Sequence, residues 1–289
     1  MAQLPFGGSH TEEKLRVLEQ YLSAYQKVLK NRSFETVFFD AFAGTGEIPI
    51  EEPGGLFEDV EDAQRFINGS ARRALAIKPP FDRYVFVEKS KSKAALLETL
   101  KKDFSYLSAR IHIQRADANA AILSFCRSTN WKHTRAVMFL DPFGNQVDWS
   151  TIKEIATTRA IDLWYLFPAH LGINRQISAS GEFDAGKAAS LDRVLGTSEW
   201  RKQFIATKTE QDLWGENQTT SFKQSSVDSV TRFMIRRMKE VFKGLVLDEW
   251  LPLGRGGSHW YSLLFACANP STKATDIAGR VARAVMRRK

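Results

Sequence analysis

Residues 38–46 read Phe-Phe-Asp-Ala-Phe-Ala-Gly-Thr-Gly, an apolar run that closes on an acid and then on a glycine turn. A short, nearly unbroken apolar run fits a strand buried on both faces, as strands in the middle of a parallel sheet are. The glycines let the backbone approach closely whatever lies beyond the strand end. Parallel strands need a crossover of a dozen or more residues, usually a helix, between them. This segment therefore demands a chain in which strands and helices alternate.

The alternation is present. Leu15, Leu18, Tyr21, Leu22, Tyr25, Val28 and Leu29 recur at spacings of three and four, which predicts a helix over 11–30 capped by Thr11. Strands are expected over 36–42, 84–88, 110–114, 136–141 and 161–167. Between them the pattern predicts helices over 71–77 (capped by Ser70), over 92–104, after Asp117 and over 150–157. A helix over 227–242 and strands over 245–251 and 260–266 follow, the two strands joined by Gly254-Arg255-Gly256-Gly257-Ser258 as a hairpin. The fold class is α/β, Rossmann-like, with a mostly parallel sheet, helices on both faces and an antiparallel pair at its end. The whole of 1–289 reads as a single domain. Its one interruption, 168–226, is polar but carries Leu191, Val194, Leu195, Trp200, Phe204, Leu213 and Trp214, and is expected to be a helical insertion over the C-terminal edge of the sheet.

Composition narrows the function classes. With 43% hydrophobic and 26% charged residues the chain can build a substantial core, and its apolar runs are strand-sized, so no membrane span is expected. Residues 1–10 lack a basic-then-apolar leader pattern, which makes the cytoplasm the expected location. Cys126 and Cys267 sit in apolar surroundings without metal-ligand spacing, so no metal site is expected. Net charge is +8, with Arg280, Arg283, Arg287, Arg288 and Lys289 crowding the last ten residues. That balance suits a nucleic-acid partner and equally suits a solvated helix end.

The strand ends carry the chemistry. Asp40, Glu88 and Asp141 each close a predicted strand, and Asp117 follows another. Ligands of open parallel sheets bind in the crevice beyond these ends. An ionised carboxylate offers two acceptor oxygens, so Glu88 suits a pair of ribose hydroxyls and Asp117 an adenine amino group. Dinucleotide binding wants a third glycine and an immediate helix, but Pro49 stands there and a long irregular stretch follows. No Gly-Lys-Ser/Thr follows the glycines, and no Gly-x-Ser-x-Gly elbow exists, so neither a Walker loop nor a serine hydrolase is expected. S-adenosylmethionine, which has no phosphate, is the cofactor these features favour. His170, after the fifth strand, and His259, beside the last hairpin, are the histidines best placed to approach a substrate.

Phe42-Ala43-Gly44-Thr45-Gly46, Val87-Glu88, Ala116-Asp117 and Leu140-Asp141-Pro142-Phe143-Gly144 resemble the ordered motifs of class I S-adenosylmethionine-dependent methyltransferases. More narrowly the chain resembles the three-Cys-motif partner (TcmP) family. That resemblance rests on Lys14-Leu15, Tyr21-Leu22, Asn68-Gly69-Ser70, Asp141-Pro142-Phe143-Gly144, Leu191-Asp192-Arg193-Val194-Leu195-Gly196 with Trp200, and Tyr261-Ser262-Leu263-Leu264-Phe265-Ala266. It implies a seven-stranded sheet whose last strand is antiparallel. It also implies a cofactor site made of Lys14, Asp40, Phe42 to Gly46, Glu88 with Lys89, and Asp117 with Ala118, in which Lys14 approaches the methionine carboxylate. A separate three-cysteine protein is implied as a partner.

Asp141-Pro142-Phe143-Gly144 further resembles the Asp-Pro-Pro-Tyr type motif of methyltransferases acting on nucleobase amines, in which the acid and a proline carbonyl hold the amine and the ring stacks on the base. One proline is missing here, so Phe143 stands a position early. The expected activity is methyl transfer to a nucleobase amine or another nitrogen or oxygen. The alternative is an S-adenosylmethionine-binding partner protein without catalysis.

Overall fold

The computed structural model describes residues 9–44, 69–211, 214, 216–254 and 258–287. After helix α1 (Ser9–Leu29) come β1 (Glu35–Asp40), α2 (Ser70–Ala76), β2 (Arg83–Val87), α3 (Lys91–Asp103), β3 (Ile111–Gln114), α4 (Ala118–Ser128), β4 (Thr134–Leu140), α5 (Trp149–Thr157) and β5 (Ile161–Phe167). Then follow a π-helical turn (Ala169–Ile173), α6 (Ala185–Leu195), α7 (Trp200–Phe204), β6 (Ile205–Gln211) and β7 (Asn217–Lys223). The chain closes with α8 (Val227–Val241), β8 (Leu245–Val246), β9 (Leu251–Leu253), β10 (Tyr261–Cys267) and α9 (Thr272–Met286).

The main sheet has the order β3-β2-β1-β4-β5-β10, with β8 and β9 sharing the outer edge of β10. β1 to β5 are parallel, and β10 runs against β5 with Leu264 opposite Tyr165. Because β8 and β9 oppose β10, they point the same way as β5. This is a Rossmann-like fold, a mostly parallel sheet with one reversed strand inserted near its end. β4 and β5 are buried almost residue for residue, which is why Ala136 to Leu140 and Leu163 to Phe167 read as continuous apolar runs.

Successive side chains feed two cores. Val37, Phe39, Met138 and Leu140 face α4, α5 and α8, whereas Phe38, Val137 and Phe139 face α1, α2, α3 and α9. Burying a large side chain of this kind is worth roughly 1.5–3 kcal/mol, so each helix layer is held mainly by its apolar stripe.

Three local expectations change. α1 begins at Ser9, so Thr11 lies inside the helix rather than capping it. The strand expected over 245–251 is two short pieces, β8 and β9, because Asp248 and Glu249 interrupt the apolar run. The 168–226 segment, expected to be helical, holds α6 and α7 but then continues as a hairpin, β6–β7, that no apolar alternation announced. α6 starts at the cap Asp184, whose Oδ1 accepts from the Lys187 N–H at 2.8 Å, and stops at Gly196. At Gly196 φ is +69°, and a Cβ there would stand 2.0 Å from Trp149 Cδ1. No helix among the described residues is long and apolar enough to cross a membrane.

Candidate functional site

β1 carries Asp40 to the C-terminal edge of the sheet, fully buried. Its Oδ1 accepts from the Phe42 N–H at 3.1 Å, and its Oδ2 accepts from the Ser70 hydroxyl. The cap of α2 is Gly69, not Ser70 as expected. Ser70 instead ties the first turn of α2 to the end of β1, whereas Asn68 lies outside the described residues. Burial raises the Asp40 pKa from 3.8 to about 7, against the two hydrogen bonds; nearby Asp141 raises it further and Lys14 lowers it.

Past Asp40 the chain stays zipped into the sheet edge. The Ala41 N–H bonds Phe139 O and the Ala43 N–H bonds Val87 O, both at 3.1 Å, leaving Phe42 and Ala43 buried. Gly44 then lies directly against Glu88: a Cβ at Gly44 would sit 1.9 Å from Glu88 Oε2. Any larger residue here would push the Glu88 carboxylate aside. Glu88, at the end of β2, is 7% exposed, and its Oε1 accepts from the Ser90 N–H at 2.6 Å. Its Oε2 is buried with no hydrogen-bond partner among the described residues. A buried carboxylate oxygen without a donor is costly and is most simply explained by a ligand donor. Lys89 is exposed beside it. Thr45 and Gly46 lie outside the described residues.

Asp117 holds a second position. It caps α4, its Oδ1 accepting from the Ala120 N–H at 3.2 Å, with the side chain exposed and Ala118 half-buried.

Beyond β4, Asp141 forms an ion pair with Lys14, which α1 brings across the sheet edge; both side chains are mostly buried. Pro142 is buried, while Phe143 is 49% exposed and its N–H donates to Gln146 Oε1 at 2.8 Å. Gly144 takes φ +69°, turning the loop back. Residues from the 168–226 segment grip this loop. Asn145 Nδ2 donates to Gly172 O at 2.8 Å and to Ser190 Oγ at 3.1 Å. Arg193 on α6 donates to Asn145 O at 2.7 Å and pairs with Asp148. Arg193 stands within Leu191-Asp192-Arg193-Val194-Leu195-Gly196, so that motif anchors the Asp141 loop.

At the β5–β10 end, burial raises the pKa of Tyr261, with Asp141 near enough to add to it. His259 Nδ1 lies 3.2 Å from Asp228 Oδ1, and its Nε2 lies 2.8 Å from the Oγ of the fully buried Ser262. Ser262 Oγ is 2.7 Å from Thr231 Oγ1, itself 2.8 Å from Val227 O. This relay satisfies both protonation states of His259. When neutral, the ring accepts from Ser262, which accepts from Thr231. When charged, it donates to Ser262, which donates to Thr231, which donates to Val227 O. Burial, with His170 nearby, lowers the His259 pKa against the opposing effect of Asp228. The burial of Ser262 denies the group a nucleophile's access, so this is a structural strut rather than a hydrolytic triad. His170 bonds Trp260 O through its backbone N–H, and its Nδ1 is buried without a partner among the described residues. The sequence flags His170 and His259 but gives no sign of Asp228 or Thr231.

The edge thus gathers Lys14, Asp40 and Asp141, with Glu88 against Gly44 one strand over, and places Asp117 farther out beyond β3. A polar cleft of about 410 Å³ lies elsewhere, lined by Glu35, Arg83 and Thr134 at the opening residues of β1, β2 and β4. It is at the wrong end of the strands for ligands of such sheets. No cluster of potential metal ligands occurs among the described residues.

No protein-family model and no curated protein matches the chain. Among solved structures, it is similar to a Legionella pneumophila protein of family model DUF519 (12% identity, TM-score 0.44, covering 97% of this chain and 92% of that one). It is also similar to the putative methyltransferase yhhF of Escherichia coli (9%, TM-score 0.31, 77% and 92% covered). A third is the plantazolicin methyltransferase BpumL, solved in complex with SAH (8%, TM-score 0.30, 88% and 83% covered). These likenesses are remote, and the roles assigned to residues rest on this chain alone.

Proposed function

We propose that this chain binds S-adenosylmethionine and transfers its methyl group to a nitrogen or oxygen acceptor, with a nucleobase amine as the preferred class. The observation that carries the reading is the buried Oε2 of Glu88 at the end of β2, which has no donor among the described residues and lies directly against Gly44. That oxygen fits a ribose hydroxyl. The cofactor, when bound, supplies an electrophilic methyl group on a sulfonium.

The chain's own residues supply position. Glu88 accepts from the ribose, Asp117 offers the adenine amino group its second oxygen, and Lys14 serves the methionine carboxylate. Phe42, Ala43 and Gly44 furnish backbone, with Thr45 and Gly46 as the rest of that turn. Asp141 and the carbonyl of Pro142 hold the acceptor amine so that its lone pair faces the methyl group, and the exposed ring of Phe143 stacks on the base. A cytoplasmic setting, a nucleic-acid substrate and a three-cysteine partner protein belong to the same reading. The Lys14–Asp141 pair favours a second one, a cofactor-binding partner protein without catalysis, because the acid already has a cation.

Calorimetry with S-adenosylhomocysteine, with NAD as control, tests the cofactor; heat from NAD alone defeats the reading. Incubation with methyl-labelled S-adenosylmethionine and separate DNA, RNA and protein fractions tests the acceptor. Label in nucleic acid that Asp141→Asn abolishes, with cofactor binding intact, supports catalysis on a base. Cofactor binding without transfer to any fraction favours the second reading.

A further inference from the structure

β6 and β7 form a ribbon whose strands, among the described residues, pair only with each other. Five of the seven β6 residues and six of the seven in β7 are exposed, so neither face packs on the main sheet. The ribbon is tied down only near its base, where the Lys223 N–H bonds Ala179 O and the Gln224 N–H bonds Phe204 O. An isolated two-stranded hairpin is marginal in water, and the free edge of β6 is a ready template for another strand.

The charges on that edge are self-complementary. Lys208 and Glu210 flank Thr209 on one face of β6. If two copies lay β6 against β6, antiparallel about a two-fold axis at Thr209, Lys208 would stand opposite Glu210 of the second copy, and the reverse. The same symmetry brings the far end of one ribbon, with Trp214 at 77% exposure, toward the base of the other, where Phe222 is 43% exposed. Nucleic acid fits the ribbon less well: Lys208 and Lys223 are balanced by Glu210 and Glu216, and the Lys223 ammonium is bonded to Asn174 O.

We propose that the β6–β7 ribbon is a self-association surface that joins two copies of this chain through β6-to-β6 pairing. The inference is independent of the methyltransferase reading. Such a contact is smaller than the roughly 1,200–2,000 Å² of a standard interface, so the dimer is expected to form in the micromolar range or weaker.

Sedimentation equilibrium of the full chain from about 1 to about 500 μM tests it. A concentration-dependent dimer is expected, and a wild type that stays monomeric throughout overturns the proposal. Lys208→Glu and Glu210→Lys should each weaken self-association at least about tenfold by placing like charges opposite one another. Mixing the two single variants should restore a dimer, now a heterodimer, which no effect within one ribbon can produce. Equal far-UV circular dichroism and melting temperature establish that both variants fold. Failure of the mixture to associate, or self-association indifferent to either reversal, overturns the proposal. So does a monomeric wild type whose ribbon variants lose retention on nucleic acid instead.

Discussion

Replacing Asp40 by Asn tests the physics of the site without touching its shape. The side chain is fully buried, and its carboxyl is raised from 3.8 to about 7, chiefly by burial. A raised acid holds its proton in the fold more tightly than in the unfolded chain. Its contribution to stability is therefore whole below about pH 4 and is lost as pH rises through about 7. Each tenfold step in acidity is worth about 1.4 kcal/mol, so the ionised carboxylate withdraws on the order of 4 kcal/mol by pH 8. Asn keeps an acceptor for the Phe42 N–H, and the Ser70 hydroxyl can turn to accept from its amide. Asp40→Asn should thus raise stability above the wild type by roughly 1.5 kcal/mol near pH 5 and by up to about 4 kcal/mol near pH 8. Urea unfolding followed by circular dichroism at the two pH values reads the difference directly. Parallel pH dependence in the two proteins, or a variant less stable at pH 8, would refute the reasoning.

Glu88→Gln should weaken S-adenosylhomocysteine binding by about 10- to 100-fold in calorimetry, the worth of a hydrogen bond to a charged acceptor, while the melting temperature of the free protein holds or rises. Gly196→Ala meets both a positive φ and the Trp149 ring, so it should lower stability by at least about 1–3 kcal/mol, seen as a lower urea midpoint.

What the sequence discloses tracks what is buried. β4 and β5 announce themselves because a strand covered on both faces is apolar over most of its length, here Ala136 to Leu140 and Leu163 to Phe167. β6 and β7 do not, since strands exposed on both faces leave Thr, Lys, Glu, Gln and Asn in no order that marks a sheet. Of the site, the acids at the ends of β1, β2 and β4 are legible because strand ends in parallel sheets meet at one edge. Their partners are not. Ser70 looks like a cap and is spent on Asp40; Asp117 looks like a ligand and also caps α4. The Asp228–His259–Ser262–Thr231 relay joins residues from α8, the approach to β10 and β10 itself, and only folding brings them within reach.

β10 lies between β5 and the β8–β9 edge, yet it is synthesised after both. Until Cys267 has left the ribosome, one side of β5 has no neighbour, and β8 and β9 have no strand on which to dock. A product cut short in this region would keep the acids at the ends of β1, β2 and β4 but would bare a long greasy strand, open to any other chain that could pair with it.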